Sequence, residues 1–163
     1  MMADEKTGNR ELTITRVFDA PRSLVWKAWT DRKMIQSWWG PRGVTNPTCE
    51  WDARPGGRIN IVMLAGKELG DYAGQEWPMT GTFKEITPQS RIVYTTGALD
   101  DVKEIFLRTE NTVEFEEVGA KTRMKLHIVV TMASPKAAMA LQGMEMGWNQ
   151  SIDKLGEFLQ GSR

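Results

Sequence analysis

The sequence has one cysteine and one histidine in 163 residues, and its 21 Lys and Arg balance 21 Asp and Glu. A lone Cys49 forms no intrachain disulfide, and nothing basic close to it in sequence is placed to stabilise a thiolate. A lone His127 is the one histidine that a zinc site or a nucleophile–histidine pair would have to use. Zero net charge excludes the basic footprint of a dedicated nucleic-acid binder and of a polybasic membrane anchor. No apolar run approaches the ~20 residues of a membrane span. Residues 1–10 are polar and lack the apolar stretch of a secretory signal. These absences lead us to expect a reducing, cytoplasmic setting with no nucleic-acid partner and no membrane span.

What is present is bulk. Seven tryptophans and ten methionines supply large apolar area and flexible gap-filling. The length suits one domain that buries a sizeable core without staples. We expect residues 1–10 to be a flexible leader and residues 11–160 a single domain. Such a Trp- and Met-rich chain builds either a well-packed core or a cavity with adaptable apolar walls.

Periodicity places the elements. In residues 11–19, Leu12, Ile14 and Phe18 share one parity, which is the period of a strand, with Arg16 interrupting the apolar side. Pro21 fits the first position of a helix in which Val25, Ala28 and Trp29 make one face and Trp26 widens it. Thr30-Asp31 caps a second short helix with Met34, Ile35 and Trp38, ending at Gly40-Pro41. Cys49-Trp51-Ala53 and Ile59-Ile61-Met63 flank the turn Arg54-Pro55-Gly56-Gly57 and read as a hairpin. Two further strands fall at residues 79–86 and 91–96, while residues 97–110 read as a loop or a short helix.

The next hairpin has a readable register. Pairing about Gly119-Ala120 sets Glu116 opposite Arg123, Glu114 opposite Lys125, Phe115 opposite Met124 and Val113 opposite Leu126. One face is then apolar and the other complementary in charge; a one-residue slip would put charges in the core. Ser134-Pro135 starts the longest helix, running to about Gln160, with Leu141, Met144, Trp148, Ile152, Leu155 and Leu159 in a stripe. Burying that stripe contributes on the order of 10 kcal/mol as an upper estimate. Gly143, Gly147 and Gly156 each cost about 1 kcal/mol against alanine, so the helix depends on packing. A lone helix with so wide a stripe needs a concave surface, which six or seven antiparallel strands supply by curling.

Taken in order, these residues resemble a known family. Arg16-Val17-Phe18-Asp19-Ala20-Pro21, Val25-Trp26, Trp29-Thr30-Asp31, Trp38-Trp39-Gly40-Pro41, Arg54-Pro55-Gly56-Gly57 and Gly143-Met144-Glu145-Met146-Gly147-Trp148 look like the activator-of-heat-shock-ATPase homologue family. That family belongs to the START-like, birch-pollen-allergen-like SRPBCC superfamily. The resemblance implies an α+β helix-grip fold and an apolar cavity. It does not imply one activity, because relatives include chaperone co-factors tied to the stress response, lipid carriers and polyketide cyclases.

Inward parities give a candidate ligand pocket of Trp51, Met63, Phe83, Tyr94, Phe115 and Met124 on the sheet. Gly143, Met144, Gly147, Trp148 and Ile152 would face it from the helix, the glycines giving either close approach or space. Trp38, Trp39 and Trp77 are candidates for the pocket mouth. Arg16 is a candidate polar anchor, or else the partner of a carboxylate such as Asp31 or Glu85. His127 falls on the charged face of its strand and Cys49 shares the phase of Trp51, so neither marks a reactive site. Pro55-Gly56-Gly57 reads as a hairpin turn before it reads as an anion nest. Met139 and Met146 turn away from Met144, so no soft-metal site forms, and no cofactor, metal or catalytic residue is expected. Three functions stay open: a module binding a small hydrophobic molecule, a co-factor of a heat-shock ATPase chaperone, and a cyclase- or hydrolase-like enzyme using Tyr72, Tyr94 or Asp71.

Overall fold

A computed structural model describes residues 10–161; the expected leader, apart from Arg10, lies outside them. Strand β1 (Glu11–Phe18) leads into helices α1 (Arg22–Thr30) and α2 (Arg32–Trp38). Strands β2 (Val44–Trp51), β3 (Arg58–Ala65), β4 (Glu76–Thr87), β5 (Arg91–Leu99), β6 (Ile105–Val118) and β7 (Lys121–Ala133) follow, then the long helix α3 (Ala138–Gly161). The seven strands form one antiparallel sheet in the order β1-β7-β6-β5-β4-β3-β2, curled around α3 in a helix-grip arrangement. Every neighbour in the sheet except β1 is also a neighbour in sequence, so hairpin turns suffice to build it.

The β6–β7 register is the one read from charge and apolar pairing: Phe115 opposes Met124, Val113 opposes Leu126, and Glu116 opposes Arg123. The Arg123–Glu116 ion pair closes at 2.6 Å, whereas Glu114 bonds Arg91 of β5 at 2.8 Å. Residues 97–110 correct the sequence reading. They finish β5, turn at Asp100–Lys103 through an Asp100 N–H donating to the Glu104 carbonyl, and begin β6. Their acidic side chains crowd into the turn, and this masks the alternation on either side. Lys136, in the 3-10 turn Pro135–Ala137 just before α3, pairs with Asp100 at 2.8 Å, and its hydrogen bond, with that from the Glu104 amide, holds the Asp100 carboxyl below its usual range.

Pro21 occupies the cap of α1 rather than its first turn, with ψ of 152° and a carbonyl that accepts from the amides of Leu24 and Val25. Asp31 caps α2 by accepting from the Lys33 and Met34 amides, as expected. Arg10, assigned to the leader from sequence, instead ties β1 to the far side of the grip by donating to the Leu141 carbonyl at 2.8 Å. Along α3, Leu141, Ile152, Leu155 and Leu159 are buried, while Met139 and Met146 point outward.

Candidate functional site

Register decides which side chains face α3. The concave residues run Met63, Ile61 and Ile59 on β3; Trp77, Met79, Gly81 and Phe83 on β4; and Ala98, Thr96 and Tyr94 on β5. On β6 they are Leu107, Thr109, Asn111, Val113 and Phe115, opposite Met124 to Val130 of β7. Gly81 is required here, since a Cβ would lie 1.9 Å from the Thr95 carbonyl oxygen.

Most of the sequence-predicted pocket residues lie in or against the main apolar core. Trp51, Phe83 and Tyr94 form a cluster of rings with centroids 5.0–6.0 Å apart. Trp148 faces inward and meets Trp39 edge-on at 5.3 Å, and Trp39 meets Trp51 at the same separation. Ile152 and Met124 are fully buried in the same core, and Phe115 is covered by Trp26, 5.3 Å away.

Others are placed differently. Trp38 and Trp39 are not at a mouth, being 0% and 4% exposed. Trp38 donates its indole N–H to the Ala28 carbonyl at 3.0 Å, which fixes it under α1. Trp39 turns inward because Gly40 follows it at φ 93°, where a Cβ would meet Val44 Cγ2 at 2.6 Å. Trp77 is half-buried opposite Met63. On the glycine flank, a Cβ on Gly143 would meet nothing within 4 Å, and one on Gly147 would meet only Pro41 at 4.0 Å. Arg16 pairs with Asp153 of α3 at 2.7 Å rather than with Asp31 or Glu85, which cap α2 and bond Arg91. It thereby fastens β1 to the helix.

The concave face has an open end. Met63, Trp77, Met79, Ala98 and Leu107 on the strands and Met144 and Trp148 on α3 are all half-buried. Here the apolar interior splits into a main core and a smaller cluster of Val130, Ala137 and Leu141, with Met144 packed against both. Between them the floor is polar, a feature that sequence reasoning missed. Thr96 and Thr109 share a hydrogen bond of 2.5 Å, and Asn111 donates to Thr109 Oγ1 at 3.0 Å and to the Tyr94 carbonyl at 3.3 Å. Tyr94 Oη is buried with no protein partner, and burial pushes its pKa up, so it stays a neutral phenol. A strand over residues 105–118 would have exposed the inward parity of Thr109 and Asn111, but residues 97–110 carry no legible alternation.

The turn into β2 is strapped to α3. Lys154 donates to the carbonyls of Gly40 and Pro41 at 3.1 and 3.3 Å, and Arg42 pairs with Glu157 at 2.5 Å. Burial, followed by the nearby Arg42 charge, lowers the Lys154 pKa. Of the remaining sequence candidates, His127 pairs with Glu11 at 2.7 Å across the outer face. Cys49 is half-buried, and its thiol pKa is raised by that burial. The Gly56 and Gly57 amides donate to the Phe83 and Arg54 carbonyls, which leaves no nest. Asp71 and Tyr72 lie exposed on the turn after β3, away from the buried Tyr94. Among the described residues no group of three or more His, Cys, Asp or Glu could hold a metal ion, and no helix is long and apolar enough to cross a membrane.

A family model described as activator of Hsp90 ATPase homolog 1-like protein matches residues 19–160. The chain belongs to this family. An AHSA1 protein from Silicibacter pomeroyi superposes with a TM-score of 0.78 at 23% identity, over 94% of this chain and all of that one (100%). An Arthrobacter aurescens protein gives 0.78 at 24%, over 97% and 89%, and a Nitrosomonas europaea protein 0.75 at 24%, over 93% and 95%. At these identities the likeness is one of fold. A search of curated protein sequences finds no match. Membership of the Hsp90-activator-homolog family accounts for the helix-grip arrangement and suggests a START-like ligand-binding domain.

Proposed function

We propose that this domain binds a small, largely apolar molecule in the cleft between the sheet and α3. One observation carries the reading: apolar side chains on the concave face of β3, β4, β5 and β6, with Met144 and Trp148 of α3, stay half-buried where the apolar interior divides into two clusters. A sheet and helix selected only for stability would bury these side chains fully, because buried apolar area is the main favourable term in folding. Concave, mostly apolar sites with a few polar groups are the usual form of small-molecule sites.

Titration with the neutral dye N-phenyl-1-naphthylamine tests this. We expect saturable 1:1 binding that quenches tryptophan emission. Ala98→Trp, which fills the open end of the cleft, should lower the affinity at least tenfold while the unfolding transition stays cooperative. Unchanged affinity in that variant would place the dye elsewhere and sink the reading. The family description names an activator of Hsp90 ATPase, and that name is the support for a chaperone co-factor as the second reading.

A further inference from the structure

We propose that the cleft takes amphipathic monocarboxylates, with the apolar body between the sheet and α3 and the carboxylate on Arg10. The proposal rests on the ligand-binding reading and adds the chemical class of the ligand.

Arg10 stands where such a head group would. It shares the parity of Leu12, Ile14 and Phe18, so its side chain leaves the start of β1 on the concave face. Its carbonyl accepts from the Val130 amide at 2.9 Å, and its guanidinium donates to the Leu141 carbonyl at 2.8 Å. Val130 and Leu141 both belong to the smaller apolar cluster, against which the half-buried Met144 packs. The cation therefore lies beside the end of the interior that is least covered.

The bond to Leu141 does not account for the charge. Leu141 is inside α3, where its carbonyl already accepts from the amide four residues on. The bond uses one of five guanidinium N–H groups, and its acceptor is neutral. A carboxylate is a stronger partner and can be gripped by two parallel bonds. Among the described residues no acidic side chain pairs with Arg10, and none stands in the first turn of α3. Arg16 gives the comparison. It lies on the same face, six residues further on, and its guanidinium meets Asp153 at 2.7 Å. Lys136, just before α3, is likewise matched by Asp100. Two inward cations thus flank the grip at β1, and the fold supplies a counter-ion to one. Register places no carboxylate on the concave face of β3 to β7 between Ile59 and Val130, so none there repels an incoming anion.

The helix sets the length of the apolar body. Leu141, Met144 and Trp148 follow one another along one face, and a helix rises about 10 Å from the first to the last. An unbranched acid held at Arg10 would reach Trp148 with a chain of that order, which octanoate provides.

Octanoate and octylammonium, equal in chain and opposite in charge, test the proposal at pH 7 through displacement of N-phenyl-1-naphthylamine. The protein has no net charge, so overall attraction favours neither. The native protein should bind octanoate at least fivefold tighter than octylammonium, the size expected of a solvent-accessible ion pair. Arg10→Gln keeps a donor for the Leu141 carbonyl; there the preference should fall below twofold while dye affinity holds. Arg10→Lys, which keeps the charge, should retain the preference. Equal affinities in the native protein, an unaltered preference in Arg10→Gln, or dye that neither probe displaces would each overturn the proposal and leave the ligand-binding reading standing. If the dye itself does not bind, both fall together.

Discussion

A chain lacking residues 135–163 is expected to be molten or aggregating, without a cooperative unfolding transition. Leu141, Ile152, Leu155 and Leu159 of α3 are at most 5% exposed, and each contributes roughly 1.5–3 kcal/mol by leaving water. Removing the helix also uncovers the concave face, including Phe18, Ile14 and the rings around Trp39, all of which belong to the same core. That loss is comparable to the whole net stability of a domain, about 5–15 kcal/mol. The polar ties go with it: Arg16–Asp153, Arg42–Glu157 and the Lys154 bonds that hold the Gly40-Pro41 turn. Circular dichroism through a urea titration reads the outcome directly. A sharp transition in the truncated chain would show that the sheet folds on its own and that the grip is an accessory.

Trp29→Ala should be strongly destabilising, at about 3–5 kcal/mol. Trp29 is fully buried at the junction of α1, α2 and the sheet. Its indole N–H points at Met124 Sδ, 3.2 Å away on β7, its ring meets Trp38 edge-on at 4.8 Å, and its carbonyl accepts from the Trp51 indole at 2.7 Å. Truncation leaves a cavity that those fixed neighbours cannot refill, and collapse toward it would break the Trp51 bond. Trp77→Ala, at a half-buried position, should cost much less, and the two urea midpoints can be compared in one experiment. Similar losses for both would mean that the α1 junction is not the centre of the core.

The two periodicities made most of this fold legible. Period two along residues 113–130 carried both the register and the inward face, because Glu114 and Glu116 face Lys125 and Arg123 across the turn. The α3 stripe was legible because its apolar residues recur at three and four. The site was legible only in part. Trp51, Phe83, Tyr94 and Trp148 meet because parity and helical angle fix direction. The inward turn of Trp39 depends on the left-handed Gly40, and a residue's parity carries no information across such a bend. The partner of Arg16 lies 137 positions away on a different element, a long-range match that no local pattern encodes. The polar floor stayed hidden because the turn at Asp100 broke the alternation from which Thr109 and Asn111 would have been placed. Gly143 and Gly147 flank the stripe by helical angle, and what a side chain there would touch, nothing within 4 Å at Gly143 and Pro41 at 4.0 Å at Gly147, is set by the tertiary placement of the helix rather than by that angle.

The central claim is that the interior between the sheet and α3 is a binding site, and the indole N–H resonances of the tryptophans report on it directly. In a titration with N-phenyl-1-naphthylamine followed by nitrogen–proton and carbon–proton correlation spectra, the indoles of Trp39, Trp51 and Trp148 should shift and saturate at one equivalent, while the outward Met139 and Met146 methyl resonances stay fixed. Shifts confined to Met139 and Met146, with the three indoles unmoved, would place binding on the outer face of α3 and contradict the account.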